Sequence, residues 1–286
     1  MSSSTEPESS PPQSPFFRAL QTDRYERQDH IRAYEEATGR ILVVFCGPIV
    51  PDIITPFADA ILDADTNIPL DLMLTSLGGD GETALRMASM CHADRAEFRV
   101  IVPDTAASAA TLLALAAESI AMSSTSALGP IDPQVLLPHR DGYYPAKDIL
   151  AIVDDLDNRT RENPQAFELY AALLADVDAV VYQIAKAAIG RMEELVPEVM
   201  RLRCPPPSDD QVQQVIKNLQ GQAMHSAAIG HSRAGELGLP TQYLAPQSEQ
   251  WDMLWRLHTM YVVLRGASSN TSVIEGRRVS LIRERS

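Results

Sequence analysis

Residues 98–117 have the sequence FRVIVPDTAASAATLLALAA, in which a short run of β-branched and aromatic residues precedes Ser108 and an alanine-rich segment. The first five residues predict a buried strand, Pro103 ends it, and the alanine- and leucine-rich segment predicts a helix. Ser108 therefore stands where a strand passes into a helix. At such a place a hydroxyl lies near the free backbone N–H groups and the positive end of the helix dipole.

A glycine pair, Gly78-Gly79, occupies the same kind of strand-to-helix turn about thirty residues before Ser108. Glycine reaches backbone angles that are closed to other residues, so this pair can turn an N–H toward the serine. A nucleophile and N–H donors for a developing oxyanion are the minimum equipment for acyl transfer. Each feature also has a plain structural explanation, as a helix cap and as a simple turn. Because the serine and the glycine pair follow consecutive strands, the two features together indicate a catalytic site.

Strands and helices alternate at short spacing on both sides of this segment. Strands are predicted at 41–46, 70–74, 98–102 and 120–122, and helices near 56–62, 82–92 and from Ser108 to about residue 117. Such alternation is typical of βαβ units on a parallel sheet, and it predicts an α/β fold.

The second half of the chain is predicted to be almost wholly helical. Helices are expected at 145–157, 163–189, 191–203, 208–219, 231–237 and 248–266, with Pro197 kinking or splitting the third. Three regions follow from the pattern along the chain. Residues 1–16, rich in Ser, Pro and Glu, are expected to be a disordered tail. Residues 17–245 form the main domain, and residues 246–286 are a C-terminal helix and basic tail that could supply oligomer contacts.

Composition excludes several classes of protein. The 286 residues can bury a substantial core, and a formal charge of −14 argues against a nucleic-acid-binding surface. The three cysteines are far apart with no CxxC pair, so we expect neither a metal site nor a disulfide framework. The longest stretch of small apolar residues, 106–117, is too short to span a membrane, and no secretory signal is visible. These features predict a cytoplasmic protein with no cofactor and with neither nucleic acid nor membrane as a partner.

Four segments together resemble the serine dehydrogenase proteinase family. Members of this family are Clp-fold serine peptidases related to Clp protease and to signal-peptide peptidases. The segments are TSLGG at 75–79, IVP at 101–103, the run at 107–117 and LGPIDPQ at 128–134. The similarity extends over roughly residues 23–245. It implies a Clp/crotonase-like spiral of repeated ββα units with a helical C-terminal extension. Leu77 stands where family members tend to have Pro, and Ala110 where they tend to have Gly.

The resemblance also implies the roles of site residues. By position, Ser108 is the nucleophile, and the backbone N–H groups of Gly79 and Ala109 form the oxyanion hole. One candidate base is Lys147, whose place at the start of a helix resembles the Ser–Lys dyad of the signal-peptide peptidases. A lysine can act as a base if burial lowers its pKa toward neutrality. The alternative explanation is an ordinary solvated helix lysine.

The second candidate base is a pair, Asp132 with His225. These residues stand about where Clp protease has its histidine and its aspartate, so the two side chains would have exchanged places. Histidine is the natural base near neutral pH. Asp132 could instead organise its proline-flanked turn, and His225 could lie on the polar face of a helix. The sequence leaves the choice of base open.

The resemblance predicts an ATP-independent intracellular serine endopeptidase that cleaves peptides or unfolded protein segments as a homo-oligomer. The chain contains no Walker sequence, so any use of ATP would come from a partner. One alternative, motivated by Leu77 and Ala110, is a catalytically weakened assembly or scaffold protein. A less favoured alternative is an acyl-CoA-binding crotonase-type enzyme, since that fold also directs paired N–H groups at a thioester oxygen. No suitably placed pair of glutamates supports it.

Overall fold

A computed structural model describes residues 14–62, 65–93, 95, 97–137, 142–175, 177–220, 228–266 and 271–283. The α-helices are α1 Pro15–Leu20, α2 Thr22–Thr38, α3 Ile54–Leu62, α4 Gly81–His92, α5 Ala109–Leu115, α6 Ala146–Glu162, α7 Phe167–Leu173, α8 Ala179–Met200, α9 Asp209–Gln220, α10 His231–Glu236 and α11 Glu249–Arg265. The strands are β1 Ile41–Cys46, β2 Leu70–Thr75, β3 Phe98–Val102, β4 Thr105–Ala106, β5 Ser119–Met122, β6 Ala127–Leu128, β7 Gln134–Leu136, β8 Tyr143–Pro145, β9 Thr241–Tyr243, β10 Ser272–Glu275 and β11 Ser280–Arg283.

A seven-stranded sheet in the order β11-β10-β1-β2-β3-β5-β9 forms the centre of the fold. Strands β1, β2, β3, β5 and β9 are parallel, whereas β10 runs antiparallel to both β1 and β11. The interior strand β1 is buried at every position, as the continuous apolar sequence ILVVFC requires of a strand covered on both faces. The predicted α/β fold with a parallel sheet is confirmed.

Helices cover both faces of this sheet, and alternate strand residues point into two separate cores. On one face Val43 and Leu72 pack with residues of α3, α4, α5, α8 and α9. On the other face Leu42 and Met73 pack with residues of α2 and α11. The period of two along each strand therefore separates the helices into two layers. None of the described helices is both long and apolar enough to cross a membrane.

A buried charge network ties the α2/α11 layer to the sheet. The carboxylate of Asp71, on β2, is fully buried and accepts hydrogen bonds from Arg40 Nε at 2.7 Å and from Arg99 Nη2 at 2.5 Å. The Tyr34 hydroxyl of α2 donates to the same carboxylate at 2.6 Å. A buried charge has lost its hydration, and it is tolerated only when opposite charges and hydrogen-bond donors surround it in this way. The network therefore specifies how α2 lies on the sheet.

The helical boundaries after residue 162 differ from the prediction. The expected helix over 163–189 is two helices, α7 and α8, and α8 continues through both Gly190 and Pro197. The helix restarts at 179 because the Asp178 carboxylate accepts a hydrogen bond from Val181 N at 2.8 Å. Pro197 does not split α8, since buried neighbours such as Val196 hold this end of the helix in the core. Tertiary packing here outweighs local propensity.

Several short strands were not predicted. No strand was predicted between the one at 120–122 and the helical second half, but β6 lies there and pairs in parallel with β4. The predicted basic tail contains β11, which forms the sheet edge beside β10. The region predicted as a C-terminal helix and basic tail contains α11, β10 and β11. Of the predicted disordered tail, residues 1–13 lie outside the described residues, and α1 begins at Pro15.

Candidate active site

Ser108 lies at the start of α5, immediately after the short strand β4. Its backbone has φ 53° and ψ −121°, and among the described residues it is the only non-glycine residue with positive φ. Such a conformation costs on the order of 1–3 kcal/mol and clusters at functional sites. Ser108 N–H donates to Pro130 O at 3.1 Å, which helps to hold this conformation. Its hydroxyl does not cap α5 and makes no hydrogen bond with a described residue.

The glycine turn after β2 lies directly against Ser108. A Cβ on Gly78 would be 2.7 Å from Ser108 Cβ and 3.0 Å from Ala109 N, so only glycine permits this approach. On the other side, Ile49 N donates to Gly78 O at 2.9 Å, and Ile49 O accepts a hydrogen bond from the Asp80 N–H. Both glycines have positive φ, at 101° and 143°. The strand before the turn and the segment at Ile49 therefore hold its backbone in place.

Two backbone N–H groups at this point have no acceptor within the described part of the chain. The N–H groups of Gly79 and Ala109 make no hydrogen bond with any described residue. Ala109 is the first residue of α5, where an N–H has no partner within the helix. These are the two donors that the sequence predicted for an oxyanion hole.

The loop at 129–134 runs beside the serine. Gly129 allows it to approach, because a Cβ there would be 2.6 Å from Ala107 Cβ. Pro130 O accepts the Ser108 N–H, and Pro133 O accepts the N–H of Ala146 at 2.9 Å. Ala146 begins α6. The loop thus connects the start of α5, which carries the serine, to the start of α6.

The structure brings two of the candidate base residues together. Lys147, in the first turn of α6, has its Nζ 3.6 Å from Oδ2 of Asp132. Asp132 is 5% exposed, and the side chain of Lys147 is 30% exposed. Neither side chain hydrogen-bonds the Ser108 hydroxyl, although such bonds often tighten only when substrate binds. His225 falls within 221–227, outside the described residues.

Ser108 opens into a cleft of about 720 Å³. Its lining comes from the loop after β1, the glycine turn, the loop at 129–134, helix α8 and the end of α11: Gly47, Pro48, Leu77, Gly78, Gly79, Asp80, Gly81, Glu82, Ser108, Pro133, Gln134, Ala188, Arg191, Met192, Leu195 and Arg265. Gly47 and the two arginines were not predicted from the sequence to belong to the site. No local signal could have found them, because they are remote in sequence from the motifs and reach the cleft only through the fold.

Both departures from the family pattern can be placed. Leu77 is 74% exposed at the cleft, so its side chain is available to a ligand. Ala110 is fully buried in the first turn of α5, and its N–H donates to Ala107 O at 3.0 Å. The start of the helix therefore accommodates a methyl group at this position.

An ion pair joins α8 to the first turn of α4 at the edge of the cleft. Arg191 contacts Glu82 twice, with Nε–Oε1 at 2.5 Å and Nη2–Oε2 at 3.1 Å. The hydrogen bonds from Arg191 hold the pKa of Glu82 below its ordinary value. Because α4 directly follows the glycine turn, this pair links α8 to the segment that carries the Gly79 N–H.

Comparison with known proteins identifies the family of this chain. A profile of the family described as ClpP-like SDH-type serine proteinase matches residues 55–258. The uncharacterized proteins MJ0137 and MJ1495 of Methanocaldococcus jannaschii are 32% and 28% identical over 189 and 182 residues, or 66% and 63% of this chain. The chain spans only 58% and 54% of the lengths of these relatives.

Among solved structures, ClpP1 from Listeria monocytogenes is similar, with a TM-score of 0.42 and 13% identity over 79% of this chain and 96% of that chain. The profile match extends over well more than half of the chain and includes the glycine turn, Ser108, the loop at 129–134 and Lys147. The chain therefore belongs to the ClpP-like SDH-type serine proteinase family.

Proposed function

We propose that the protein is a serine peptidase in which Ser108 forms the acyl-enzyme. The main support for this proposal is the backbone of Ser108, which is held at φ 53° where α5 begins, beside the glycine turn. The hydroxyl makes no hydrogen bond with a described residue, which leaves it available to a substrate carbonyl. The free N–H groups of Gly79 and Ala109 stabilise the oxyanion that forms, and one such donor contributes about 3–4 kcal/mol in other hydrolases.

In this proposal Lys147 is the base, and Asp132 is its positioning partner. Lys147 Nζ accepts the Ser108 Oγ proton as the oxygen bonds to the carbonyl carbon, and the ammonium then gives that proton to the leaving amine. Water hydrolyses the ester in a second round of the same transfers. Nζ takes this proton in its neutral form; the 3.6 Å contact with Asp132 orients the side chain, and the carboxylate stabilises the ammonium once it has formed. The competing route uses Asp132 with His225.

The expected substrates are peptides or unfolded segments, cleaved internally and without ATP. A cleft of about 720 Å³ has room for a few residues of an extended chain rather than for a folded domain. The absence of a Walker sequence supports independence from ATP. The expected assay is cleavage of an unfolded protein by the purified chain without nucleotide, and a strict requirement for added ATP would contradict this part of the proposal.

We also propose a homo-oligomer, with α6, α7 and α8 in the contacts. These helices expose large apolar side chains, namely Ile152, Leu169, Leu173, Val180 and Ile184. Several exposed apolar residues on neighbouring elements are typical of a surface that another protein covers. Light scattering after size-exclusion chromatography tests this, and a monomer at micromolar concentration would contradict it.

The decisive experiment is labelling with a serine-reactive fluorophosphonate. Wild type is compared with Ser108→Ala, Lys147→Ala and His225→Ala, and with Lys217→Ala as a control for an exposed lysine on α9. Circular dichroism shows that each variant is folded. We expect labelling to be lost in Ser108→Ala and Lys147→Ala and kept in the other two. Loss in His225→Ala with retention in Lys147→Ala would instead establish the Asp132–His225 route.

The same experiment decides between a peptidase and the alternative functions. If the folded wild type never labels, the peptidase proposal fails and an assembly or scaffold role replaces it. Stabilisation of that unlabelled protein by coenzyme A in a thermal-shift assay would favour an acyl-CoA-binding enzyme, because a ligand that binds only the folded state raises its melting temperature.

A further inference from the structure

The charged residues that line the cleft are not all engaged. The carboxylate of Asp80 accepts hydrogen bonds from Thr83 N at 2.7 Å and Thr83 Oγ1 at 2.5 Å, as the cap of α4. Glu82 and Arg191 pair with each other. The fourth charged residue, Arg265, has no carboxylate within ion-pair distance among the described residues. The cleft that contains Ser108 therefore offers a cation that no described acid neutralises.

The guanidinium of Arg265 is anchored at one edge. Arg265 is the half-buried last residue of α11, and its Nε donates to Thr271 O at 3.1 Å. That bond orients the planar group and leaves the Nη donors for another partner. A carboxylate fits such donors in a planar, two-point contact.

A buried hydroxyl lies beside the same part of the cleft. Ser272 is 2% exposed, and its Oγ has no hydrogen-bond partner among the described residues. It is 3.0 Å from the place that a Cβ of Gly47 would occupy, and Gly47 itself lines the cleft. Buried polar atoms normally have partners. This hydroxyl lies against the backbone of Gly47, where the absence of a side chain avoids a collision with Ser272.

Arg265 reaches the cleft from the side opposite α8. Helix α11 packs on the sheet face that α2 shares, whereas Leu195 of α8 belongs to the core of the other face. Gly47 follows β1 and Leu77 follows β2, so the cleft lies across the carboxyl ends of neighbouring parallel strands. A peptide in this cleft can therefore contact Arg265 while another part of it meets Ser108.

We propose that Arg265 determines specificity by binding a carboxylate of the peptide substrate, either an Asp or Glu side chain or the free C-terminus. This inference rests on the proposed peptidase function and names its substrate class. The formal charge of the protein is −14, so an acidic peptide gains nothing from long-range attraction. Its recognition then depends on local contact with Arg265, in a cleft where charge pairs are stronger than at an open surface.

Quenched fluorescent decapeptides of one parent sequence provide the test. A single Asp is placed at each position in turn, each peptide has an Asn counterpart, and the parent is made with a C-terminal acid and a C-terminal amide. The value of kcat/KM is measured for the full chain as wild type, Arg265→Gln and Arg265→Lys. Arg256→Gln is the control, because Arg256 lies on the same helix, is exposed and pairs with Asp252 outside the cleft.

We expect wild type and Arg256→Gln to prefer a carboxylate about tenfold over its amide counterpart, from a charge-assisted hydrogen-bonded pair. Arg265→Gln should lose the preference, so that its kcat/KM for each carboxylate peptide equals its own kcat/KM for the amide counterpart, and Arg265→Lys should keep part of the preference. A preference at one Asp position identifies a side-chain subsite, and a preference for the C-terminal acid identifies a terminus-binding site. Cleavage with no carboxylate preference, or a preference that Arg265→Gln retains, overturns the inference.

Failure of the peptidase proposal is distinguished by a binding measurement. If the wild type neither cleaves peptides nor reacts with a fluorophosphonate, the same peptides are titrated against Ser108→Ala by fluorescence anisotropy. The inference then requires about tenfold tighter binding of the carboxylate peptides, with the difference absent from the Ser108→Ala/Arg265→Gln double variant. Equal binding of acid and amide forms rejects the role of Arg265.

Discussion

Lys147 Nζ lies 3.6 Å from Oδ2 of Asp132, across the short distance between the loop at 129–134 and the first turn of α6. The carboxylate is almost fully buried and the lysine only partly exposed, so water screens their interaction less than it would at the surface. The pair stands next to the segment whose Pro130 O accepts the Ser108 N–H. A buried acid on the loop that also accepts the Ser108 N–H thus holds a lysine at the start of α6.

Replacing Asp132 by Asn removes the charge and keeps the shape. We expect kcat to fall about tenfold to a hundredfold with KM little changed, because Asp132 acts through the base and does not bind substrate. Steady-state kinetics on a peptide substrate measure the two constants separately. A purely structural role for Asp132 would lower the melting temperature and leave kcat per folded molecule unchanged.

The backbone strain at Ser108 predicts opposite effects on stability and activity. Glycine adopts φ 53° without a steric penalty, so Ser108→Gly should unfold at a higher temperature than Ser108→Ala. The expected difference in the free energy of unfolding is about 1 kcal/mol. Both variants should lose fluorophosphonate labelling. Scanning calorimetry checks the order, and equal melting temperatures would mean that the loop imposes no strain.

The glycine turn should not tolerate a side chain. In Gly79→Ala the new Cβ would be 2.1 Å from Ile49 O at a residue with φ 143°, so the turn must move away. We expect loss of labelling together with a fall in stability of about 2 kcal/mol or more. Gly190→Ala is the matched control, because a Cβ there meets nothing within 4 Å inside α8. That variant should label normally and gain about 0.5–1 kcal/mol.

The buried carboxylate of Asp71 should be essential for stability and irrelevant to catalysis. Asp71→Ala leaves Arg40, Arg99 and the Tyr34 hydroxyl without their acceptor, and breaking a buried pair in this way costs about 3–5 kcal/mol. Urea unfolding measures the loss. The exposed pair of Asp252 with Arg256 is the control, since Asp252→Ala should cost at most about 1 kcal/mol. Similar costs for the two variants would disprove this account of the network.

Burial of His258 predicts a pH dependence of stability. Burial lowers the pKa of His258 from its ordinary value of 6.5; the charge of Asp104 opposes this shift, and the charge of Arg265 adds to it. Well above pH 6.5 the histidine is neutral in both states, so it takes nothing from the stability. As the pH falls below that value the unfolded chain binds a proton that the folded chain resists, and the protein loses stability.

Removing the titratable group tests that dependence. His258→Leu should flatten the fall in melting temperature between about pH 7 and pH 5, relative to wild type, because the variant has no imidazole to protonate on unfolding. The two curves are compared by their slopes rather than by absolute stability. Parallel curves would show that other groups govern the pH dependence in this range.

The sequence by itself determined the features that depend on neighbouring residues. Continuous apolar runs such as 41–46 can only be buried on both faces, which predicts the parallel sheet. Ser108 and the pair at 78–79 were recognisable because a strand-to-helix turn is a local arrangement with a local composition. The family resemblance added their roles, and it rests on the same short segments.

Only the tertiary structure decided what depends on residues distant in sequence. The pairing of Lys147 with Asp132 needs the loop at 129–134 packed against β4 and α5, and no spacing rule contains that information. Arg265 reaches the cleft because β10 returns the C-terminal segment to β1 and α11 packs against α2. Local propensities act over a few residues, whereas burial and charge pairing select among partners anywhere in the chain. The candidate site residues were therefore recognisable in the sequence, but their neighbours in space and the charge balance of the cleft were not.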